Sequence, residues 1–115
     1  MKEDLFYLIH ILDAFGKIQA YTAQGREVFL ASPVIQDAVV RNYEIVGEAA
    51  KRVSSALREA HPEVPWAGMA GLRDVLIHRY AEVNTQRVWA VTENDLPALK
   101  QALEAVAATF GATSP

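Results

Sequence analysis

Apolar residues fall at Leu5, Leu8, Ile11 or Leu12, Phe15 and Ile18. That three-and-four spacing predicts an amphipathic helix from about Lys2 to Tyr21, with Gly25 as its stop. A short piece, Arg26 to Ala31, leads to Ser32-Pro33, where serine as N-cap and proline at the first helical position mark a new start. The stripe that follows is Ile35, Val39, Val46, Ala49 or Ala50, Val53 and Leu57. It predicts one long helix reaching about Ala60. Gly47 lies inside it at a cost of ~1 kcal/mol relative to alanine, which suggests either close approach by a neighbouring helix or an accident of packing.

His61-Pro62-Glu63-Val64-Pro65-Trp66 breaks the pattern, because each proline lacks a donor and restricts the residue before it. A third helix is predicted from about Met69 to Tyr80, with Val75 and Leu76 toward the core. A short helical stretch passes through Val88, Trp89 and Val91. Asn94-Asp95, followed by Pro97, restarts a last helix carrying Leu96, Leu99, Leu103, Val106 and Phe110. No β alternation or internal repeat interrupts this. The expectation is a single all-α domain over residues 1–115: an antiparallel up-down bundle of four to five helices, with 111–115 as a frayed tail. Trp66 and Trp89 are expected to anchor loops to the bundle, each needing a partner for its indole N–H if buried.

Composition narrows the function. With 51% hydrophobic and 22% charged residues in 115, the chain has material for one core. It has no cysteine, which excludes disulfides and thiolate metal sites. The net charge of −3, with basic residues scattered apart from Lys51-Arg52, argues against a monomer that grips duplex DNA by phosphate neutralisation. Glu3, Asp4, His10 and Asp13 interrupt the first apolar run, unlike a signal peptide, and no apolar run approaches the ~18–20 residues of a membrane span. A soluble, cytoplasmic protein is expected. His10, His61 and His78 are far apart and the carboxylates do not cluster, so neither a metal site nor a cofactor is expected.

One stretch stands out: GLRDVLIHRYAEVN, residues 71–84. At about 100° per residue, Arg73, Asp74 and His78 share one arc of a helix, and Asp74 is one turn from His78 and able to orient its ring. An imidazole exchanges protons near neutrality and an arginine offers a fixed, permanently charged fork for a phosphate. Together they suit attack by an RNA 2′-hydroxyl on its own adjacent phosphate, which needs a base, an acid and an anion stabiliser. Spacing alone favours a solvated helix face with an ordinary Asp–His pair. Tyr80, on the other side, reads from geometry as a packed ring. In the second long helix, Asn42 falls on the apolar stripe, while Glu48 can pair with Arg52. These two read either as a satisfied amide and a surface ion pair or as support behind the third-helix motif.

The string Arg73-Asp74-Val75-Leu76-Ile77-His78-Arg79-Tyr80 resembles the R-polar-x3-H-x-Y signature of HepT-like toxins in the HEPN superfamily. Arg41-Asn42-Tyr43-Glu44-Ile45-Val46-Gly47-Glu48-Ala49 is similar to that family's R-N-x-E-x-[IV]-G-E-A segment. Pro65-Trp66, Gly71-Leu72-Arg73, Val88-Trp89 and Asp95-Leu96-Pro97 fall in the matching order. The resemblance covers essentially the whole chain. It implies a helical HEPN-like homodimer whose paired motifs line a cleft, acting as a metal-independent ribonuclease and paired with an MntA-type minimal nucleotidyltransferase antitoxin. By the same resemblance His78 is the general acid or base, Arg73 binds phosphate, Asp74 assists, and Tyr80 is the tyrosine to which AMP is attached. The competing expectation is a non-catalytic nucleotide-binding or partner subunit of such a transferase.

Overall fold

The computed structural model describes residues 2–76 and 83–112. These residues form eight helices and no strand, an all-α bundle. The first two elements, α1 (Lys2–Tyr21) and α2 (Arg26–Ala31), are joined through Gly25, whose φ of 99° is the left-handed conformation that glycine adopts at no steric cost. Leu8, Ile11, Phe15 and Ile18 are all fully buried, as the stripe predicts. α3 (Pro33–Arg52) starts as expected, with the Ser32 hydroxyl accepting from the Ile35 N–H at 3.2 Å. It packs lengthwise on α1 and also touches the two short helices that follow the proline break. It is the spine of the molecule.

The predicted helix to Ala60 is in fact two. α3 ends at Arg52, and α4 (Ser55–Ala60) begins after a fresh cap in which Ser54 Oγ accepts from the Leu57 N–H. The break is held from α1. Asp4, only 2% exposed, accepts from the Ser54 N–H at 2.8 Å and from its hydroxyl at 2.7 Å. Val53 and Leu57 stay buried on either side, so the apolar stripe runs on through the interruption.

The third predicted helix is also divided. α5 (Trp66–Ala70) starts three residues earlier than expected, and Gly71 separates it from α6 (Leu72–Leu76). The Trp66 indole donates to the His61 carbonyl at 2.9 Å. α7 (Thr85–Asn94), capped by the Asn84 side chain on the Arg87 N–H, and α8 (Leu96–Ala112) close the bundle. Trp89 lies against Phe29 of α2, ring centroids 5.7 Å apart, but its buried indole N–H finds no hydrogen-bond partner among the described residues. Among the described residues, no helix is long and apolar enough to cross a membrane.

One buried polar chain ties α3 to α7. Thr92 donates to the Val88 carbonyl at 2.8 Å, so the Tyr43 phenol, 2.6 Å away, donates to Thr92 Oγ1. Burial pushes the Tyr43 phenol well above its ordinary value of 10.0, and the charge on Asp95 adds to this. A phenol raised on folding contributes stability that is complete below its unfolded pKa and is lost as pH climbs above it. Stability is therefore expected to fall beyond about pH 10, where the unfolded tyrosine ionises first. In Tyr43→Phe that slope is expected to flatten, and the loss at neutral pH to be about 1 kcal/mol. Urea denaturation at neutral and alkaline pH checks both.

Candidate functional site

α6 carries the first half of the motif. Its two leucines, Leu72 at 7% and Leu76 at 1% exposed, are one turn apart and pin the helix to the core. Between them Arg73, Asp74 and Val75 face out. Val75, expected to point inward, is 40% exposed. The reason is angular: the core-facing arc is centred between Leu72 and Leu76, and Val75 lies roughly 80° away from that centre.

Gly47 lets the chain leading into this helix approach α3 closely. A Cβ on Gly47 would lie 3.3 Å from the carbonyl oxygens of both Met69 and Ala70, closer than ordinary contact. Gly47 therefore marks a close approach, with the end of α5 resting on the backbone of α3. That contact brings Arg73 beside α3, where its Nε–H donates to Glu44 Oε2 at 3.3 Å. The pair is open to water, with side chains 60% and 32% exposed, so it contributes little stability. Its effect is geometric. A guanidinium held at Nε keeps both terminal nitrogens available, and Arg73 has no other partner among the described residues.

Glu44 was not singled out by sequence reasoning as a partner of Arg73. The pairing of Arg73 with Glu44 spans 29 residues. The R-N-x-E segment contained the signal without revealing its target. Asp74 is exposed in the first turn of α6. Asn42 is 6% exposed and donates from its amide to the Ala38 carbonyl at 2.9 Å, while Glu48 pairs at 3.8 Å with Lys51 rather than Arg52. This hydrogen bond and this ion pair both lie within α3. His78, Arg79 and Tyr80 lie outside the described residues. The chain on either side of that segment is joined: the Asn84 N–H donates to the Leu76 carbonyl at 3.0 Å. A larger apolar cleft, about 630 Å³, opens between α5–α6 and α7–α8 around Met69, Leu72, Val75 and Leu99, and neither Arg73 nor Asp74 lines it. Among the described residues no three His, Asp or Glu side chains are grouped as metal ligands.

Residues 11–106 match the protein family described as "Ribonuclease HepT-like". The chain belongs to the HepT-like ribonuclease family. It is 39% identical over 99 residues to a protein of Thermococcus cleftensis named "Probable ribonuclease HepT", covering 85% of this chain and 90% of that one. It is 37% identical over 107 residues to "Putative RNase TTE0752" of Caldanaerobacter subterraneus, covering 92% and 96%. A third relative, from Methanocaldococcus jannaschii, is named "Gamma-glutamylcyclotransferase and putative RNase MJ0434". The two are 40% identical over 103 residues, which is 88% of this chain and only 46% of that longer protein. No solved structure matches the chain.

Within this HepT-like chain, Glu44 is expected to act on Arg73 through position rather than charge alone. Glu44→Ala should lower RNA cleavage by about tenfold, with Glu44→Gln, which still accepts from Nε, recovering part of it. Both variants should unfold within about 0.5 kcal/mol of the parent, since the pair is exposed. Cleavage rates set beside thermal unfolding test this.

Proposed function

We propose that this protein is a metal-independent endoribonuclease, the toxin of a toxin–antitoxin pair, using Arg73, Asp74 and His78. The observation that carries the reading is Arg73: an exposed guanidinium, seated on Glu44 through Nε, in a chain of the HepT-like family. In the reaction the RNA 2′-oxygen bonds to the adjacent phosphorus and the bond from phosphorus to the 5′-oxygen breaks. The 2′-hydroxyl proton leaves to a base, and the departing 5′-oxygen takes one from an acid. His78 serves in one or both of these transfers. The products are a 2′,3′-cyclic phosphate and a 5′-hydroxyl. Arg73 stabilises the charge that builds on the phosphoryl oxygens, and Asp74 orients the imidazole.

The working unit is a homodimer in which paired motifs concentrate positive charge for a chain whose net charge is −3. Its regulator is an MntA-type nucleotidyltransferase. Transfer of AMP from ATP to the Tyr80 oxygen, with release of pyrophosphate, adds bulk and a phosphate charge two residues from His78. Both oppose entry of an anionic substrate.

The test is cleavage of labelled RNA in EDTA by protein that mass spectrometry shows to carry no AMP. Cyclic-phosphate ends formed in chelator support the reading. Failure of verified unmodified dimer to cut any of several RNA classes overturns it, in favour of a binding subunit of the transferase.

A further inference from the structure

Beside the Arg73 site, α1 and α3 flank a surface groove of about 280 Å³. Phe6 and His10 line it from α1, and Arg41, Ile45, Glu48 and Arg52 from α3. Phe6 is 56% exposed, and its ring lies against the His10 imidazole with centroids 4.3 Å apart and planes tilted by 58°. A large ring left in water and steadied by a second ring offers a face on which a base can stack.

The α3 wall supplies charge. Arg41, Ile45, Glu48 and Arg52 follow one another at intervals of four, three and four residues, so they share one helix face. The two arginines are roughly 16 Å apart along the axis, and neither has an ion-pair partner among the described residues. Glu48, the carboxylate between them, is engaged by Lys51 at 3.8 Å. The groove thus presents two guanidinium groups with one carboxylate between them, a net positive lining on a chain that is negative overall. It also adjoins the site, because Glu44, which holds Arg73, directly precedes Ile45 and lies one turn from both Arg41 and Glu48.

We propose that this groove holds the single-stranded RNA flanking the bond that is cut, with Arg41 and Arg52 on phosphates and the Phe6–His10 pair under a base. The assignment rests on the ribonuclease reading and adds where the substrate lies. Size selects the form of nucleic acid: the volume is near the low end of the ~300–1,000 Å³ of small-ligand pockets, suited to one splayed nucleotide and not to a duplex. Unpaired loops and single strands are the RNA whose bases can be turned out in this way.

The experiment measures fluorescence anisotropy of a short, unstructured, labelled oligoribonucleotide across a salt series. Full-length His78→Ala protein is used so that nothing is cut. Each phosphate contact on a single strand contributes about 0.7 to the slope of log affinity against log salt. Arg41→Ala with Arg52→Ala is expected to flatten that slope by about 1.4, and the paired lysine substitutions to preserve it. Phe6→Ala should weaken binding about tenfold with the slope intact, and Arg26→Ala, on α2, should change neither. An unchanged slope and affinity in the arginine double variant overturns the proposal, as does absence of binding. Light scattering of the same variants covers the other occupant: if a dimer falls to monomers while RNA affinity is unchanged, the groove is an interface between copies and the proposal fails. The ribonuclease reading is judged separately, by cleavage with His78 intact.

Discussion

Replacing His78 with alanine is expected to lower RNA cleavage by about 10²–10⁴-fold, the range that positioned proton transfer contributes. Arg73→Ala is expected to cost about 10²–10³-fold, as removal of one preorganised donor to a developing oxyanion does. Arg73→Lys should recover only part of this: lysine brings the charge without the planar fork, and it has no Nε–H to engage Glu44 while still facing substrate. The fold gives these expectations a clean control for the arginine. Arg73 is exposed, and the burial that fixes α6 belongs to Leu72 and Leu76. Its removal should therefore leave helical content unchanged and the melting temperature within a few degrees. Loss of cleavage with an intact melt assigns the effect to chemistry. Full activity in both variants, on RNA that the parent cuts, would remove the proposed mechanism altogether.

The same comparison of local and distant causes explains what could be read without a structure. The buried faces of α1, α3 and α8 are written in spacings of three and four residues, and Leu8, Ile11, Phe15, Val39, Val46, Leu96 and Leu103 all lie where the stripes put them. What the stripe could not show is the break at Ser54, because the group that holds it, Asp4, is 50 residues away. A serine within an apolar stripe looks like any polar interruption until its partner is known. The division at Gly71 was hidden for a related reason: Leu72 and Leu76 continue a plausible helical pattern across it. At the candidate site, the motif was singled out by family resemblance, whereas the physics of spacing on its own favoured a solvated face. Glu44 was in view throughout, yet only the packing of α5 on α3 gives it Arg73 as its partner.

That packing makes Gly47 the residue on which fold and site depend together. Substitution by alanine has two opposed effects. Helix propensity gains ~1 kcal/mol, but the new Cβ meets the Met69 and Ala70 carbonyl oxygens at 3.3 Å, and these belong to a helix end that must then shift by a few tenths of an ångström. The two should nearly cancel, leaving Gly47→Ala within about 1 kcal/mol of the parent. Valine has no such balance. Its two methyl groups must enter the same contact, overpacking costs roughly 1–3 kcal/mol, and the propensity gain shrinks for a β-branched side chain. Gly47→Val is expected to lose about 3 kcal/mol, or on the order of 12 °C in melting temperature for a domain of this size. Displacing α5 also displaces α6, so cleavage should fall even well below the new melting temperature, where the chain is still folded. If valine is tolerated in both stability and cleavage, the close approach of α5 to α3 does not position Arg73, and the coupling between Glu44 and the motif has to come from elsewhere.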